Sequence, residues 1–103
     1  MTRQELTDGS GKWFDLAQAR KYKEDTYWNG NNTISCATGS QWEHEELYYT
    51  KGKRWIKHWM SQWQGSLPQW TEITPTRAAE WLVNNHHGAH PSVEAEYAAL
   101  EIA

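Results

Sequence analysis

His44-Glu45-Glu46-Leu47-Tyr48-Tyr49-Thr50, then Lys51-Gly52, then Arg54-Trp55-Ile56-Lys57-His58-Trp59-Met60-Ser61-Gln62-Trp63 is the stretch whose reading decides the fold. Residues from about His44 to Thr50 read as a strand, and Lys51-Gly52 supplies a turn into a further segment beginning near Arg54. That segment carries two readings. Trp55, Trp59 and Trp63 recur every four residues, which suits a helix. On a strand the same three share one face, with Ile56, His58 and Met60 on the other. A hairpin signal before it and its aromatic density, which fits a pleated surface, favour the strand over residues 54–63.

Upstream, Asn29-Gly30-Asn31-Asn32 is turn chemistry, since Asn and Gly tolerate positive φ. Thr33 to Thr38 then reads as a strand with Ile34 and Cys36 on one face. Further back, Asp15 can cap a helix running through Glu24, with Leu16, Ala19, Tyr22 and Lys23 at helical spacing. Residues 1–11 are polar and read as a flexible lead-in. Downstream, Gln64 to Pro68 closes the hairpin and Trp70-Thr71-Glu72-Ile73 reads as a short strand. Thr74-Pro75-Thr76 opens a helix ending near Asn84-Asn85, and Pro91 opens a last one over Ser92 to Ile102. The expected architecture is an α+β domain over residues 12–103. It comprises an N-terminal helix, an antiparallel meander of about four strands, and two C-terminal helices.

A chain of 103 residues is of single-domain length. Aliphatic residues are scarce and mean hydropathy is -0.95. The missing bulk is supplied by 8 Trp, 5 Tyr and 1 Phe, each able to bury about 150–250 Å². The formal net charge of -3, from 10 basic and 13 acidic residues, argues against non-specific binding to a phosphate backbone. A local basic stripe at Lys51, Lys53, Arg54 and Lys57 stands against that balance. A single cysteine, Cys36, precludes an intrachain disulfide. With no apolar leader or membrane-length run, the expected location is cytoplasmic.

Three groups invite a chemical reading. His86, His87 and His90 lie within five residues, and imidazoles are metal ligands; the alternative is hydrogen bonding and charge at a helix C-terminus. A structural zinc site shows a fuller ligand set, so no metal and no cofactor are assigned. Cys36 could serve as a nucleophile with His44 or His58 as base, but its alternation with Ile34 reads as a buried structural thiol. Glu43-His44-Glu45-Glu46 resembles an acid/base cluster in composition only. Alternation sends His44 and Glu46 to one face and Glu43 and Glu45 to the other, and pairing with Lys53, Arg54 or Lys57 explains them without catalysis.

The run Gly30-Asn31-Asn32-x-Ile34-Ser35-x-Ala37-Thr38-Gly39-Ser40-Gln41-Trp42-x-His44-Glu45, with Trp59-x-Ser61-Gln62-Trp63-Gln64-Gly65-Ser66, resembles a family of small bacterial proteins associated with plasmids and other mobile elements. The likeness extends to Lys12-Trp13-Phe14-Asp15-Leu16 and to the tail from Glu72-Ile73 to Ala79-x-Trp81-Leu82. No activity is established for that family, so the resemblance implies a setting and no catalytic residue. Within the run, Asn31, Gln41, Trp42, His44, Glu45, Gln62, Trp63 and Gln64 are the candidate partner-binding residues. The competing account is a local hydrogen-bond network joining strand ends.

These observations favour a non-catalytic protein-binding domain over an enzyme. Its partner would be a bacterial host or mobile-element protein, and one concrete form is an inhibitor of a defence system, such as an anti-CRISPR protein. A second reading is a small nucleic-acid binder using exposed tryptophans and the basic stripe. A third, a metal- or thiol-dependent enzyme, has less behind it. An uncovered aromatic sheet face would also permit a homodimer.

Overall fold

The computed structural model describes Met1–Ile102. In chain order it holds β1 (Arg3–Glu5), β2 (Trp13–Asp15), β3 (Arg20–Lys23), β4 (Thr26–Trp28), β5 (Thr33–Ser35), β6 (Glu43–Tyr49), β7 (Trp55–Ser61), β8 (Gln69–Ile73), α1 (Pro75–Asn84) and α2 (Glu94–Ala98). The strands form a four-stranded sheet, β3-β6-β7-β8, and two small two-stranded sheets, β1-β2 and β4-β5. All pairings are antiparallel.

Residues 54–63 resolve in favour of the strand. β7 pairs with β6 from Glu43↔Ser61 to Tyr49↔Trp55, and strand ends at Ser61, before Trp63. The turn between them is tight. Thr50 and Arg54 close it with a backbone bond of 2.9 Å, and the Thr50 hydroxyl accepts from the Arg54 amide at 3.1 Å. The left-handed residue there is Lys53, at φ 64°, and not Gly52.

The N-terminal helix expected from Asp15 through Glu24 does not form. Asp15 does cap, its carboxylate accepting from the Ala17 amide, but only a single 3-10 turn follows, Leu16–Gln18. The chain then extends into β3, where Tyr22 lies opposite Leu47 and is buried. Nor is there one four-strand meander. β3 reaches the sheet from far upstream to pair with β6, while β5, expected to belong to it, pairs with β4 alone. Within residues 1–11, read as a lead-in, Arg3–Glu5 pair with Trp13–Asp15. Thr7 then docks on the sheet, its amide donating to the Trp70 carbonyl and its hydroxyl accepting from the Trp70 amide, each at 2.8 Å.

The C-terminal elements are shorter than expected at the end. Thr74 caps α1 by accepting from the Arg77 amide, with Pro75 at its first position. The last helix, expected over Ser92 to Ile102, is a 3-10 turn at Pro91–Val93 followed by α2 of five residues.

Strand alternation gives the large sheet two apolar faces, and each is covered. On one, Tyr22, Leu47 and Trp55 pack against Ala78, Ala79, Trp81 and Leu82 of α1 and against Val93. The two alanines, both fully buried, let the helix backbone approach the sheet closely. On the other face Tyr48, Ile56 and Trp70 meet Phe14 of β2, with Leu6, Leu16 and Ala19 at the rim. Ring centroids of Phe14, Tyr48 and Trp70 stand 5.5–5.9 Å apart in tilted contacts, the separation at which aromatic pairs add to simple burial. Leu47→Ala should cost about 2–5 kcal/mol in urea unfolding. Lys53→Gly should instead gain up to about 1 kcal/mol by relieving the left-handed lysine.

Candidate functional site

Two carboxylate networks occupy the first half of β6, one tied to each side of the sheet. Glu24, just past β3, receives three donors or partners: the Ser35 hydroxyl at 2.8 Å, the Glu45 amide at 2.7 Å and His44 Nδ1 at 2.6 Å. Ser35 is fully buried and its hydroxyl also accepts from the Ala37 and Thr38 amides. Glu45 points under α1, where it accepts from the Trp81 indole at 3.0 Å and pairs with Lys57 at 3.5 Å. A buried indole N–H needs such an acceptor, so Glu45 is part of the packing of Trp81.

On the opposite face Glu46 accepts from Lys21 at 2.6 Å and contacts His58 Nδ1 at 3.0 Å. His58 lies flat on Trp70, ring centroids 3.7 Å apart. Burial acts to raise the Glu46 carboxyl, but Lys21 and His58 outweigh it and hold the group below its ordinary value. The Tyr48 hydroxyl, buried beside Glu46, is pushed up to about 12.

The proposed partner residues therefore separate. Glu45 is buried, and His44 is half-buried and bound to Glu24; both serve the network. Asn31 is exposed in the β4–β5 turn, its amide donating to Asn29 Oδ1. Gln41, Trp42, Gln62, Trp63 and Gln64 gather where β6 begins and β7 ends, joined by the Gln62 amide donating to the Trp42 carbonyl at 2.9 Å. Trp42 and Trp63 pack on each other with centroids 5.4 Å apart, yet stay 42% and 60% exposed. Next to them runs an open groove lined by Trp59, Leu67, Pro68, Gln69, Thr7 and Asp8, among others. Trp59 forms part of its wall, its indole donating to Glu43 at 3.2 Å. Leu67, 78% exposed, was not singled out by sequence; its apolar side chain in a Gly/Ser/Pro turn is the one local signal. Trp13, Tyr27 and Trp28 are also exposed, on the small sheets.

The three histidines do not converge. His86 Nδ1 pairs with Asp25 at 2.6 Å. His87 Nε2 donates to the Lys23 carbonyl at 2.7 Å, with its ring stacked on Trp81 and edge-on to Tyr22. His90 meets the Ser92 hydroxyl and packs on Tyr49 and Trp55. Cys36 is half-buried just after β5, grouped with Asp25 and His86 and not with the histidines of β6 and β7. Burial, then the charges of Asp25 and Glu24, push its thiol up, which works against a nucleophilic thiolate. Half of the basic stripe is paired with carboxylates: Arg54 is held by Glu72 and Lys57 by Glu45, while Lys51 and Lys53 stand exposed in the turn.

Comparison with protein-family models, with curated proteins and with solved structures finds no match. The likeness to mobile-element proteins thus gains no support from them. Among the described residues, no helix is long and apolar enough to cross a membrane.

The Glu46 network makes a pH prediction. A carboxyl held below its unfolded value, near 4.5, adds stability that is full above that pH and fades as pH falls through the lower folded value. Glu46→Gln should cost about 1–2 kcal/mol at neutral pH. Urea titrations across the acid range should show the gap to wild type closing below about pH 4.5.

Proposed function

We propose that this chain is a small non-catalytic protein-binding domain. It meets its partner through the sheet end formed by Trp42, Trp63, the glutamines beside them and the Leu67-Pro68 turn. The observation that carries the reading is the exposed Trp42–Trp63 pair. A chain this poor in aliphatic residues has use for every indole inside, and two adjacent ones left half in solvent give up much of the burial that folding would otherwise gain from them. Tryptophan is enriched at the centres of interfaces, where a rigid aromatic body buries much area at little entropic cost. Gln62 and Gln64 are exposed beside the pair and supply donors and acceptors for a polar rim.

The resemblance to mobile-element proteins sets this surface in a bacterial host, and an inhibitor of a defence system is the concrete form it takes there. That setting rests on the quoted motifs alone. The nucleic-acid reading loses force because Arg54 and Lys57 are engaged by carboxylates.

Removing a central tryptophan costs about 2 kcal/mol or more, or roughly thirtyfold in affinity. Trp42→Ala with Trp63→Ala should lower the urea midpoint only modestly, less than Leu47→Ala does, while abolishing capture of a stoichiometric protein partner from bacterial lysate. Equal capture by the double variant counts against the reading. Quenching of the tryptophans by single-stranded oligonucleotides at low salt would transfer the surface to nucleic acid. Concentration-dependent dimerisation lost in the variant would transfer it to a second copy.

A further inference from the structure

The end of α1, the β3–β4 junction and the segment after β5 bring together three side chains that no motif links. One ligand atom each from Asp25, Cys36 and His86 lies within 4.8 Å of the others. We propose that these three side chains form a binding site for a borderline divalent cation of the zinc class, with a fourth position left for water or an external ligand.

The donor set matches the ion. Zinc binds thiolate, imidazole and carboxylate at about 2.0–2.3 Å, which places tetrahedral ligands roughly 3.3–3.8 Å from one another. The side chains need only small rotations from their present separation. His86 Nδ1 and Asp25 Oδ2 now face each other across 2.6 Å, and a bound cation would take the place of that contact. Thiolate and carboxylate together balance the charge of a dication. The ion would also reverse the local field around Cys36, where the neighbouring carboxylates now disfavour the thiolate.

The scaffold is fixed independently of any ion. The Cys36 amide donates to the Asp25 carbonyl at 2.8 Å. The Asp25 amide donates at 2.9 Å to Oδ1 of Asn85, whose buried side chain also donates back to the Trp81 carbonyl. Asn85 is the residue before His86, so the two outer ligands hang from one clamp.

His86 itself supplies a second observation. The α1 terminus is a Schellman arrangement, with the His87 amide bonded to the Leu82 carbonyl at 2.9 Å and the His86 amide to the Val83 carbonyl at 3.1 Å. The residue forced left-handed in that motif is His86, at φ 60°. Glycine or asparagine ordinarily stands there, because a bulkier side chain is strained. That turn aims the imidazole at Asp25.

The test uses the full chain, freed of metal with a chelator. Zinc should bind with one-to-one stoichiometry by calorimetry and raise the melting temperature. Cobalt should give the near-ultraviolet thiolate-to-metal absorption that only a cysteine ligand produces. Cys36→Ser and His86→Asn should each lose at least about tenfold in zinc affinity, since even second-shell changes cost that much. His86→Asn separates the site from a folding role: asparagine suits the left-handed position, so the metal-free variant should melt no lower than wild type while binding fails. His90→Gln should bind zinc as wild type does. Absence of a cobalt–thiolate band in the wild-type protein overturns the proposal. So does zinc binding by Cys36→Ser or His86→Asn equal to wild type, which assigns the ion to adventitious surface groups.

Discussion

Strand β6 must be covered on both faces by a chain that has few aliphatic side chains to cover it with. Hydrogen-bonded to β3 on one edge and β7 on the other, it presents Leu47 to the helices and Tyr48 to the β1–β2 hairpin. Everything else follows from closing those two faces. Trp55, Trp81 and Tyr22 fill one, while Phe14, Trp70 and Ile56 fill the other. Rings are wide and stiff, so they bury area at low rotamer cost, but their polar atoms must be satisfied. That requirement accounts for Glu45 beneath the Trp81 indole and Glu43 beneath that of Trp59.

The glutamate-rich start of β6 is therefore a consequence of the aromatic core. Each carboxylate brought inward needs partners of its own, and the sheet provides them from neighbouring strands: Lys57 to Glu45, Lys21 and His58 to Glu46. Glu24 closes the system by gathering Ser35, His44 and the Glu45 amide at the point where β3 ends. These links join the sheet, the β4–β5 hairpin and the helix layer. Just beyond them, the open end of the β6–β7 hairpin, with Trp42 and Trp63, has no covering element, and that is where recognition is proposed.

The hairpin and α1 were legible because their signals are local: aromatic density around Lys51-Gly52, and Thr74-Pro75 before an apolar stripe. The N-terminal segment misled for an equally local reason. Asp15 caps a single turn as readily as a longer helix, and Tyr22 at helical spacing from Leu16 and Ala19 sits at strand spacing from its real neighbours. β1 offered no hydrophobic alternation, since Arg3-Gln4-Glu5 pair through the backbone and the Arg3 guanidinium over the Trp13 ring. Of the site, the exposed Trp42, Gln62, Trp63 and Gln64 were readable from their polar-aromatic company, while the burial of Glu45 required knowing where Trp81 lands. The grouping of Asp25, Cys36 and His86 depends on topology, and adjacent histidines gave no hint of it because the left-handed turn at His86 sends neighbouring rings in different directions.

The central claim is a division of the tryptophans between core and surface, and the indole N–H resonances of a nitrogen-labelled sample report it one residue at a time. In the presence of a soluble paramagnetic gadolinium chelate, the indole signals of Trp13, Trp28, Trp42 and Trp63 should be strongly attenuated. Those of Trp55, Trp70 and Trp81 should persist. Uniform attenuation of all of them, or protection of Trp42 and Trp63 to the level of Trp81, would contradict the account.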